Sequence, residues 1–364
     1  MFLALRDLRF AKGRFALMGS VVALITLLLV MLSGLTAGLG NQSTSAIAAL
    51  PADRIVFGAP PGGEAKASYT ESEVTPEQLN SWRAQPGVAS AGALGIGQSR
   101  FQSLGDDGAA RGTANVAVFG TDGTVPAPAA AGLTDDTVVI GETLAKDLDL
   151  AQGTRVSVAG NKLTVSAIVP DQWYSHTGVV WTTLGTWRQI AHAGPGEATA
   201  LAVTFGAGAS VDTDAADAAA GTVSATPTGS FQALGSYKSE NGSLMLMQAF
   251  LYGISALVIV AFLTVWTVQR TRDIAVLRAL GGSTGYVLRD ALVQAGVVLL
   301  AGAAAGGIAG AIGGFFAAQA APFLITPLTS LLPVAGVVVL GLAGAVLAVR
   351  GVTKVDPLLA LGGN

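Results

Sequence analysis

The sequence predicts an α-helical membrane protein with four transmembrane helices and an α+β extracytoplasmic domain inserted between helices 1 and 2. Three observations predict this fold. Four long runs are apolar and nearly free of charge, in a chain whose 364 residues are 12% charged. Residues 41–241 instead alternate strand-like runs with Gly, Asp and Pro turns, which is typical of a folded, water-facing domain. That domain carries a net charge of −9 and the other segments +6, so the positive-inside rule places the domain outside and both termini in the cytoplasm.

The N-terminal segment is predicted to form a surface helix followed by the first span. Residues 1–14 mix Phe and Leu with four basic residues, a pattern suited to an amphipathic elbow helix on an anionic inner leaflet. Residues 15–40 contain no charge and are long enough to cross a hydrocarbon core of about 30 Å. A cleaved signal peptide stays open as an alternative because Thr44-Ser45-Ala46 are small residues, although its apolar core would span only about 7–15 residues.

The inserted domain is predicted to combine strands with short helices. Thr75-Pro76-Glu77-Gln78 has the spacing of a capping box with proline at the first helical position, so a helix begins there and runs through Arg83. Another short helix is predicted over residues 141–150, and Gly160-Asn161 is predicted to be a hairpin turn. Strands are predicted at residues 52–58, 90–94, 114–119, 137–140, 155–158 and 163–169.

The remaining membrane segments follow from apolar runs. The second span is predicted over 242–269, the third over 287–317, an extracytoplasmic loop over 318–332, the fourth span over 333–349 and a cytoplasmic tail over 350–364. Glycines recur at every fourth position of the third span, so one side of that helix should pack tightly, and we expect two copies of the chain to pair through such glycine-faced spans. These glycines are Gly302, Gly306, Gly310 and Gly314. Gly34 and Gly38 form a G-x-x-x-G in the first span, which lets another helix approach closely or only adds packing flexibility.

A charged segment at residues 270–286 separates the second and third spans. Its apolar and charged residues alternate, so it is predicted to be a short amphipathic helix ending at Gly281-Gly282. A cytoplasmic helix of this kind can pass force to a partner, whereas the simpler alternative is a loop whose arginines only fix topology. The residues predicted to make this coupling are Arg270, Arg272, Asp273, Ile274, Leu277, Arg278 and Leu280.

The run from Arg270 to Gly281 resembles the R-x-x-[DE]-[IL]-[AG]-x-[LM]-[RK]-[AS]-[LI]-G segment of the FtsX-like and MacB-like permeases of ABC transporters. This run has Asp273 where many members of the family have Glu, and the replacement preserves the negative charge. The resemblance implies a MacB-like extracytoplasmic domain, a bacterial cell membrane location and a coupling helix that sits on a separate ATPase dimer, which binds ATP and Mg²⁺. It also implies a permease homodimer surrounded by membrane lipid.

The first span also resembles one branch of that family. Residues 27–47, LLLVMLSGLTAGLGNQSTSAI, followed by ADRIVFG at residues 52–58, are similar to the HrtB/DevC branch. That branch includes heme exporters whose members are thought to hold heme between the first two spans of a dimer. The resemblance therefore implies heme as the transported ligand.

The sequence lacks catalytic patterns. Because it has no cysteine, thiol catalysis and Cys-ligated zinc are excluded. It has no G-x-x-x-x-G-K-[ST], so another polypeptide must bind the nucleotide. His176 and His192 lie outside any H-E-x-x-H or triad context, and we interpret them as surface or loop residues rather than metal ligands. We expect a non-catalytic permease subunit without an intrinsic cofactor and without a nucleic-acid partner.

Candidate substrate-contacting residues lie where the first two spans meet the external domain. A carboxylate at a membrane boundary is costly unless it is solvated, paired or functional. Heme iron accepts Met and Tyr ligands. The candidates are Met31, Tyr237, Glu240, Met245 and Tyr252. The alternative is that these Met and Tyr side chains fill gaps and anchor the helices at the interface.

Together these features predict the permease subunit of an ATP-driven exporter that expels an amphiphile, heme in the first place, through a lateral cleft of a permease dimer. Export of another amphiphile, such as a lipid, peptide or antibiotic, uses the same architecture and stays open. An FtsX-like role also stays open, in which ATPase motion activates an extracellular hydrolase and nothing is transported.

Overall fold

The computed structural model describes residues 12–60, 62–129, 133–269 and 284–352. The chain forms two compact units, which we call the membrane unit (Met1–Leu39 with Gly242–Asn364) and the external unit (Gly40–Asn241). The helices within the described residues are α1 (Lys12–Ala48), α2 (Pro76–Arg83), α3 (Glu142–Asp147), α4 (Leu184–Ala191), α5 (Thr213–Ala220), α6 (Gly235–Gln269), α7 (Thr284–Ala317) and α8 (Pro327–Val352). Among these, α1, α6, α7 and α8 are long and apolar enough to cross a membrane. The predicted fold class, four spans with an α+β insertion after the first, is confirmed.

The long helices extend past their predicted apolar limits. α1 continues to Ala48 rather than ending at residue 40, because Ala46 and Ile47 are fully buried in the core of the external unit. α6 begins at Gly235 rather than at residue 242, and α7 begins at Thr284, which takes in the last residues of the predicted coupling segment. Hydrophobicity marks what a bilayer covers, whereas backbone hydrogen bonding continues through polar helical turns.

The predicted loop over residues 318–332 is shorter than expected, because α8 already begins at Pro327. Proline is tolerated at the first helical position, where its missing N–H would have no partner. Thr326 caps this helix: the N–H of Thr329 donates to Thr326 Oγ1 at 3.1 Å, and the N–H of Thr326 donates to Thr329 Oγ1 at 2.9 Å. Pro333 lies inside the helix. Pro327 therefore marks the start of a helix, although proline in a sequence more often indicates a loop.

The glycine-rich face of α7 packs against α1 of the same chain. A Cβ atom on Gly306 would lie 2.1 Å from the carbonyl oxygen of Ala23, and one on Gly302 would lie 2.7 Å from that of Gly19. Such distances mean that the two backbones are nearly in contact, as the glycine spacing predicted. The neighbour, however, is within the chain. The expectation that this face pairs two copies is wrong, because α1 already covers it.

The G-x-x-x-G of α1 receives a loop rather than the helix that its spacing suggested. The N–H of Leu324 donates to the carbonyl oxygen of Gly34 at 3.0 Å. A Cβ atom on Gly38 would lie 2.1 Å from the carbonyl oxygen of Pro322. The Phe323 ring lies between α1 and α7, since it would be 2.3 Å from a Cβ on Gly34 and 2.4 Å from one on Gly314. The loop thereby ties the two helices together.

The external unit is built on one mixed sheet. Its strands within the described residues are β1 (Arg54–Phe57), β2 (Val88–Leu104), β3 (Ala110–Thr121), β4 (Thr137–Gly141), β5 (Arg155–Val158), β6 (Asn161–Val169), β7 (Trp173–Tyr174), β8 (Thr177–Thr183), β9 (Ala200–Phe205) and β10 (Val223–Ala225). Their order is β10-β1-β9-β2-β3-β8-β4-β6-β5, with β7 beside β8. Only the β3–β8 and β4–β6 pairs are parallel among the described strands. Because β5 also pairs with β2, six strands close into a ring.

β2 is longer than the predicted strand at 90–94 because its two halves have different partners. Its first half pairs with β9 and its second half with β5, while β3 runs along its other edge. Gly95, in the middle of β2, pairs with Gly120 near the end of β3, and Cβ atoms there would lie 2.1 Å and 2.4 Å from Trp187. Glycine interrupts the apolar pattern that marks a strand, but here it makes room for the indole ring of α4.

Two local predictions had different outcomes. The capping box at α2 is confirmed: the N–H of Gln78 donates to Thr75 Oγ1, and the Gln78 side chain accepts from the Thr75 N–H. The β5–β6 turn lies one residue earlier than predicted. Ala159 and Gly160 have φ values of 49° and 87°, and Val158 pairs with Asn161. This two-residue turn needs a positive φ at both positions.

Candidate substrate-contacting site

The five candidate residues are divided between the two units. Met31, Met245 and Tyr252 belong to the membrane unit, whereas Tyr237 and Glu240 belong to the external unit, in the first turns of α6. The two groups are supported by different packing.

Met31 and Tyr252 pack against different helices of the membrane unit. A Cβ atom on Gly313 of α7 would lie 3.5 Å from the Met31 sulfur, and one on Gly336 of α8 would lie 2.9 Å from the Tyr252 ring. Both side chains therefore fill space beside a glycine, as the packing alternative expects. Met245 is 60% exposed, as expected of a side chain that faces lipid or a lipid-like substrate.

A side-chain hydrogen bond joins the first and second spans. Gln248 Nε2 donates to Thr36 Oγ1 at 3.2 Å, and Thr36 Oγ1 in turn donates to the carbonyl oxygen of Leu32 at 2.7 Å. Gln248 lies on the same helical face as Met245 and Tyr252, as the spacing of these residues predicted. Sequence inspection did not identify Thr36, because a threonine in an apolar helix more often bonds only to its own backbone.

Tyr237 packs on the core of the external unit. Its ring meets the Phe231 ring edge-to-face with centroids 5.7 Å apart. A Cβ atom on Gly40 would lie 3.6 Å from Tyr237 Cε2, so the ring also contacts α1. This packing agrees with the alternative to substrate binding, in which the tyrosines anchor the helices at the membrane interface.

Glu240 is paired with a histidine from a distant part of the chain. His176 Nε2 lies 2.9 Å from Glu240 Oε2 and 3.1 Å from Ser43 Oγ. About one third of the His176 and Glu240 side-chain surfaces is exposed, at 35% and 34%. An ionised carboxylate only accepts hydrogen bonds, so His176 Nε2 is assigned as the donor in this pair. Glu240 is therefore both paired and accessible, which satisfies two of the three conditions for a carboxylate at a membrane boundary.

The turn that carries His176 is fixed by backbone hydrogen bonds. Ser175 and His176 form the two-residue turn between β7 and β8, with φ values of 49° and 63°. The N–H groups of Ser175 and His176 donate to the carbonyl oxygens of Ser43 and Gln42, each at 3.0 Å. Ser175 Oγ also lies 3.2 Å from Ser236 Oγ. The turn thus joins the end of α1 to the start of α6 within the external unit.

Neither histidine belongs to a metal cluster in the part of the chain that the structure describes. No group of three His, Cys, Asp or Glu side chains in that part has the spacing of a metal site. His192 is exposed and ends α4 with a φ of 53°. The interpretation of both histidines as surface or loop residues is confirmed. The pairing of His176 with Glu240 and Ser43 could not be read from the sequence, because these two residues lie 64 and 133 positions away from it.

A small apolar cavity lies between the N-terminal part of α1 and the C-terminal part of α6, at the other ends of the first two spans. It measures about 190 Å³ and is lined mainly by Phe15, Met18, Phe262 and Trp266. The rings of Phe15 and Trp266 meet edge-to-face at 5.9 Å. This volume is below the roughly 300–1,000 Å³ of sites for drug-sized ligands, so the cavity does not hold an intact porphyrin.

Two other tyrosines are buried in the external unit and belong to its core. Tyr69 donates a hydrogen bond to Ser230 Oγ at 2.7 Å, since Ser230 Oγ itself donates to the carbonyl oxygen of Pro227. Burial raises the pKa of Tyr69 and of Tyr174 well above the usual range of a phenol. The two rings lie 5.9 Å apart beside Phe57 and Phe119. They stay neutral and are not exposed ligands.

The predicted coupling residues lie outside the described residues, which resume at residue 284. Arg270, Arg272, Asp273, Ile274, Leu277, Arg278 and Leu280 therefore stay predictions. The elbow helix over residues 1–14 lies mostly outside them as well, since the described part of α1 begins at Lys12.

Two protein families match successive parts of the chain. Residues 15–222 match the MacB-like periplasmic core domain, and residues 245–357 match the C-terminal domain of FtsX-like permeases. The first match covers more than half of the chain and includes the external unit up to β9 and α5. The second includes most of α6 and all of α7 and α8. The two matches follow the division between the inserted domain and the later spans.

Individual relatives differ in how much of the chain they cover. A Staphylococcus epidermidis protein named as the hemin transport system permease HrtB is 30% identical over 131 residues, which is 36% of this chain and 37% of that protein. An uncharacterized ABC transporter permease of Mycobacterium bovis is 24% identical over 100% of this chain and 99% of its own. The periplasmic region of MacB from Actinobacillus actinomycetemcomitans aligns in structure with a TM-score of 0.35 and 10% identity, over 50% of this chain and 92% of that one.

Proposed function

Since this chain belongs to the FtsX-like and MacB-like permeases of ABC transporters, we propose that it is the permease subunit of an exporter that expels heme from the membrane. The similarity to a hemin transport permease carries the choice of heme, although the match spans little more than a third of that relative. The candidate Met and Tyr side chains support it, because thioether and phenol groups are ligands that heme iron accepts. Glu240, which is one third exposed at the start of α6, adds a carboxylate oxygen, a group that also ligates iron in proteins. The chain itself is a non-catalytic permease.

The proposed mechanism divides the work between this chain and a separate ATPase dimer. ATPase subunits dock on the segment around Arg270–Leu280, and their ATP-driven closure moves that segment together with α6 and α7, which flank it. Tilting of the first two spans then expels the amphiphile sideways from a cleft between them. We propose that two copies of the chain form the permease. Because α1 already covers the glycine face of α7, the second copy contacts other surfaces.

Each unit contributes its own proposed contacts with the cargo. In the external unit these are Glu240 and Tyr237, and in the membrane unit Met31, Met245 and Tyr252. Glu240 has the strongest support, because it is accessible and held by a hydrogen bond. Tyr237 and Tyr252 have the weakest, because their rings already pack on neighbouring groups.

A hemin titration of the purified protein in detergent tests this function. We expect the Soret band to change saturably near one heme per permease dimer. Glu240→Ala should weaken binding most, Met31→Ala less, and Tyr252→Phe least, since the phenylalanine ring preserves the packing on Gly336. Weak, non-saturable uptake that is the same for all variants would contradict heme as the cargo.

A second function, export of another amphiphile, is favoured by one observation. A relative that spans this whole chain is named only as an ABC transporter permease, with no substrate. If hemin fails to bind, the ATPase rate of the reconstituted permease–ATPase complex should respond to a lipid or an amphiphilic peptide.

An FtsX-like role instead requires a stable complex between the external unit and a cell-wall hydrolase, which pull-down with the purified hydrolase would detect.

A further inference from the structure

We propose that His176 is a positioning residue for the Glu240 carboxylate, which it holds in the orientation that receives the iron of heme. The inference rests on heme being the cargo. His176 belongs to no sequence motif, and only the folding of the chain brings it into contact with Glu240. The 2.9 Å bond between His176 Nε2 and Glu240 Oε2 is its basis.

His176 itself has little freedom. Its backbone has a φ of 63°, and its N–H donates to the carbonyl oxygen of Gln42. The neighbouring Ser175 is held in the same way by Ser43 and by Ser236. The imidazole is thus presented by a rigid two-residue turn that is anchored on α1 and α6. A donor on such a support can fix the position of a more mobile partner.

Glu240 is the mobile partner. Its side chain has several rotatable bonds, is one third exposed and lies in the first turns of α6. Without a fixed donor, an exposed carboxylate samples several rotamers, and binding of the cargo would have to order it. The bond to Nε2 selects one rotamer through one carboxylate oxygen. Carboxylates that ligate metals are commonly held by a hydrogen bond in this way.

The two hydrogen bonds of His176 exclude a hydrolytic relay. In a Ser-His-Asp triad the serine and the carboxylate bond to opposite nitrogens of the imidazole. Here Ser43 Oγ and Glu240 Oε2 both contact Nε2. Ser43 is therefore a second acceptor on the same N–H, and it keeps the ring plane directed toward Glu240. The arrangement orients a carboxylate and does not activate a nucleophile.

The test is a hemin titration of the full-length chain in detergent, with His176→Leu and His176→Gln as the matched pair. Both variants place an unbranched Cβ at the same positive φ, so they share the backbone cost. Only glutamine keeps an N–H donor near the position of Nε2. We expect His176→Leu to raise the hemin Kd about 10-fold and to shift the Soret band, the usual size of effect when a hydrogen-bonding partner of a ligand is lost. His176→Gln should restore most of the affinity.

A double-mutant cycle shows whether His176 acts through Glu240. In a Glu240→Gln background, His176→Leu should have almost no further effect on the hemin Kd, because the carboxylate that it positions is gone. Suppose that the wild type binds hemin saturably. The positioning role is then overturned, and heme export stands, if the hemin Kd of His176→Leu equals that of the wild type or that of His176→Gln. The same holds if His176→Leu raises the Kd by the same factor with Glu240 and with Glu240→Gln. If wild type binds no hemin saturably, both the positioning role and heme export are overturned.

Discussion

Ala159 occupies a backbone conformation that an L-residue adopts at a cost. Its φ is 49° in the two-residue turn between β5 and β6. Left-handed backbone costs an ordinary residue roughly 1–2 kcal/mol, and asparagine less than most. The sequence predicts this turn one residue too late, at Gly160-Asn161, because Asn and Gly are the residues that two-residue turns favour. Here Asn161 instead begins β6, and its Nδ2 donates to the carbonyl oxygen of Val158 at 3.2 Å.

Replacing that alanine should therefore stabilise the external unit. We expect Ala159→Asn, which creates an Asn-Gly pair at the two turn positions, to raise the free energy of unfolding by about 0.5–1 kcal/mol. Chemical denaturation followed by tryptophan fluorescence measures it, since Trp82, Trp173, Trp181 and Trp187 all lie in this unit. Gly160→Ala is the matched control and should destabilise, because its φ is 87°. Equal effects of the two changes would contradict the turn.

At the scale of elements, sequence patterns predicted what is local. The capping box at Thr75, the strands β1, β4, β5 and β6, and four apolar spans all follow from short-range rules. β7 to β10 and the helices α4 and α5 were not predicted, because residues 170–225 are rich in Gly, Ala and Thr and show no clear apolar period. The pairing of Glu240 with His176 could not be predicted either, since it depends on which turn the sheet brings to α6.

The glycine face of α7 shows the same limit, because spacing predicted close packing but not the partner. A Cβ on Gly306 would lie 2.1 Å from the carbonyl oxygen of Ala23, whereas one on Gly253 of α6 has no atom within 4 Å. Gly306→Ala should therefore lower the free energy of unfolding by about 1–3 kcal/mol. Gly253→Ala should leave it unchanged or raise it by up to about 1 kcal/mol.

Thermal unfolding of the two variants in one detergent measures this difference. A lower melting temperature for Gly306→Ala alone is the expected result. If both variants melt together, the contact between α7 and α1 is absent from the folded protein.

At the scale of the whole molecule, the difference in net charge between the inserted domain and the segments on either side of it predicts the orientation in the membrane. The external unit should face out and both termini the cytoplasm. The chain has no cysteine, so a single introduced thiol reports one position without background. Asp107→Cys, in the exposed β2–β3 connection, should react with a membrane-impermeant maleimide in intact cells. Asn364→Cys should react only after permeabilisation, and the reverse pattern would invert the topology.

The pairing of β1 has a consequence for synthesis at the ribosome. Among the described strands, β1 bonds only to β9 and β10, and its residue Phe57 is opposite Val223. At about 5–20 residues per second, β1 is made on the order of ten seconds or more before its partners exist. During that interval its backbone is an open edge, which is the form of a strand that joins other chains. We therefore expect this domain to be most prone to pairing with other chains before residue 225 has crossed the membrane.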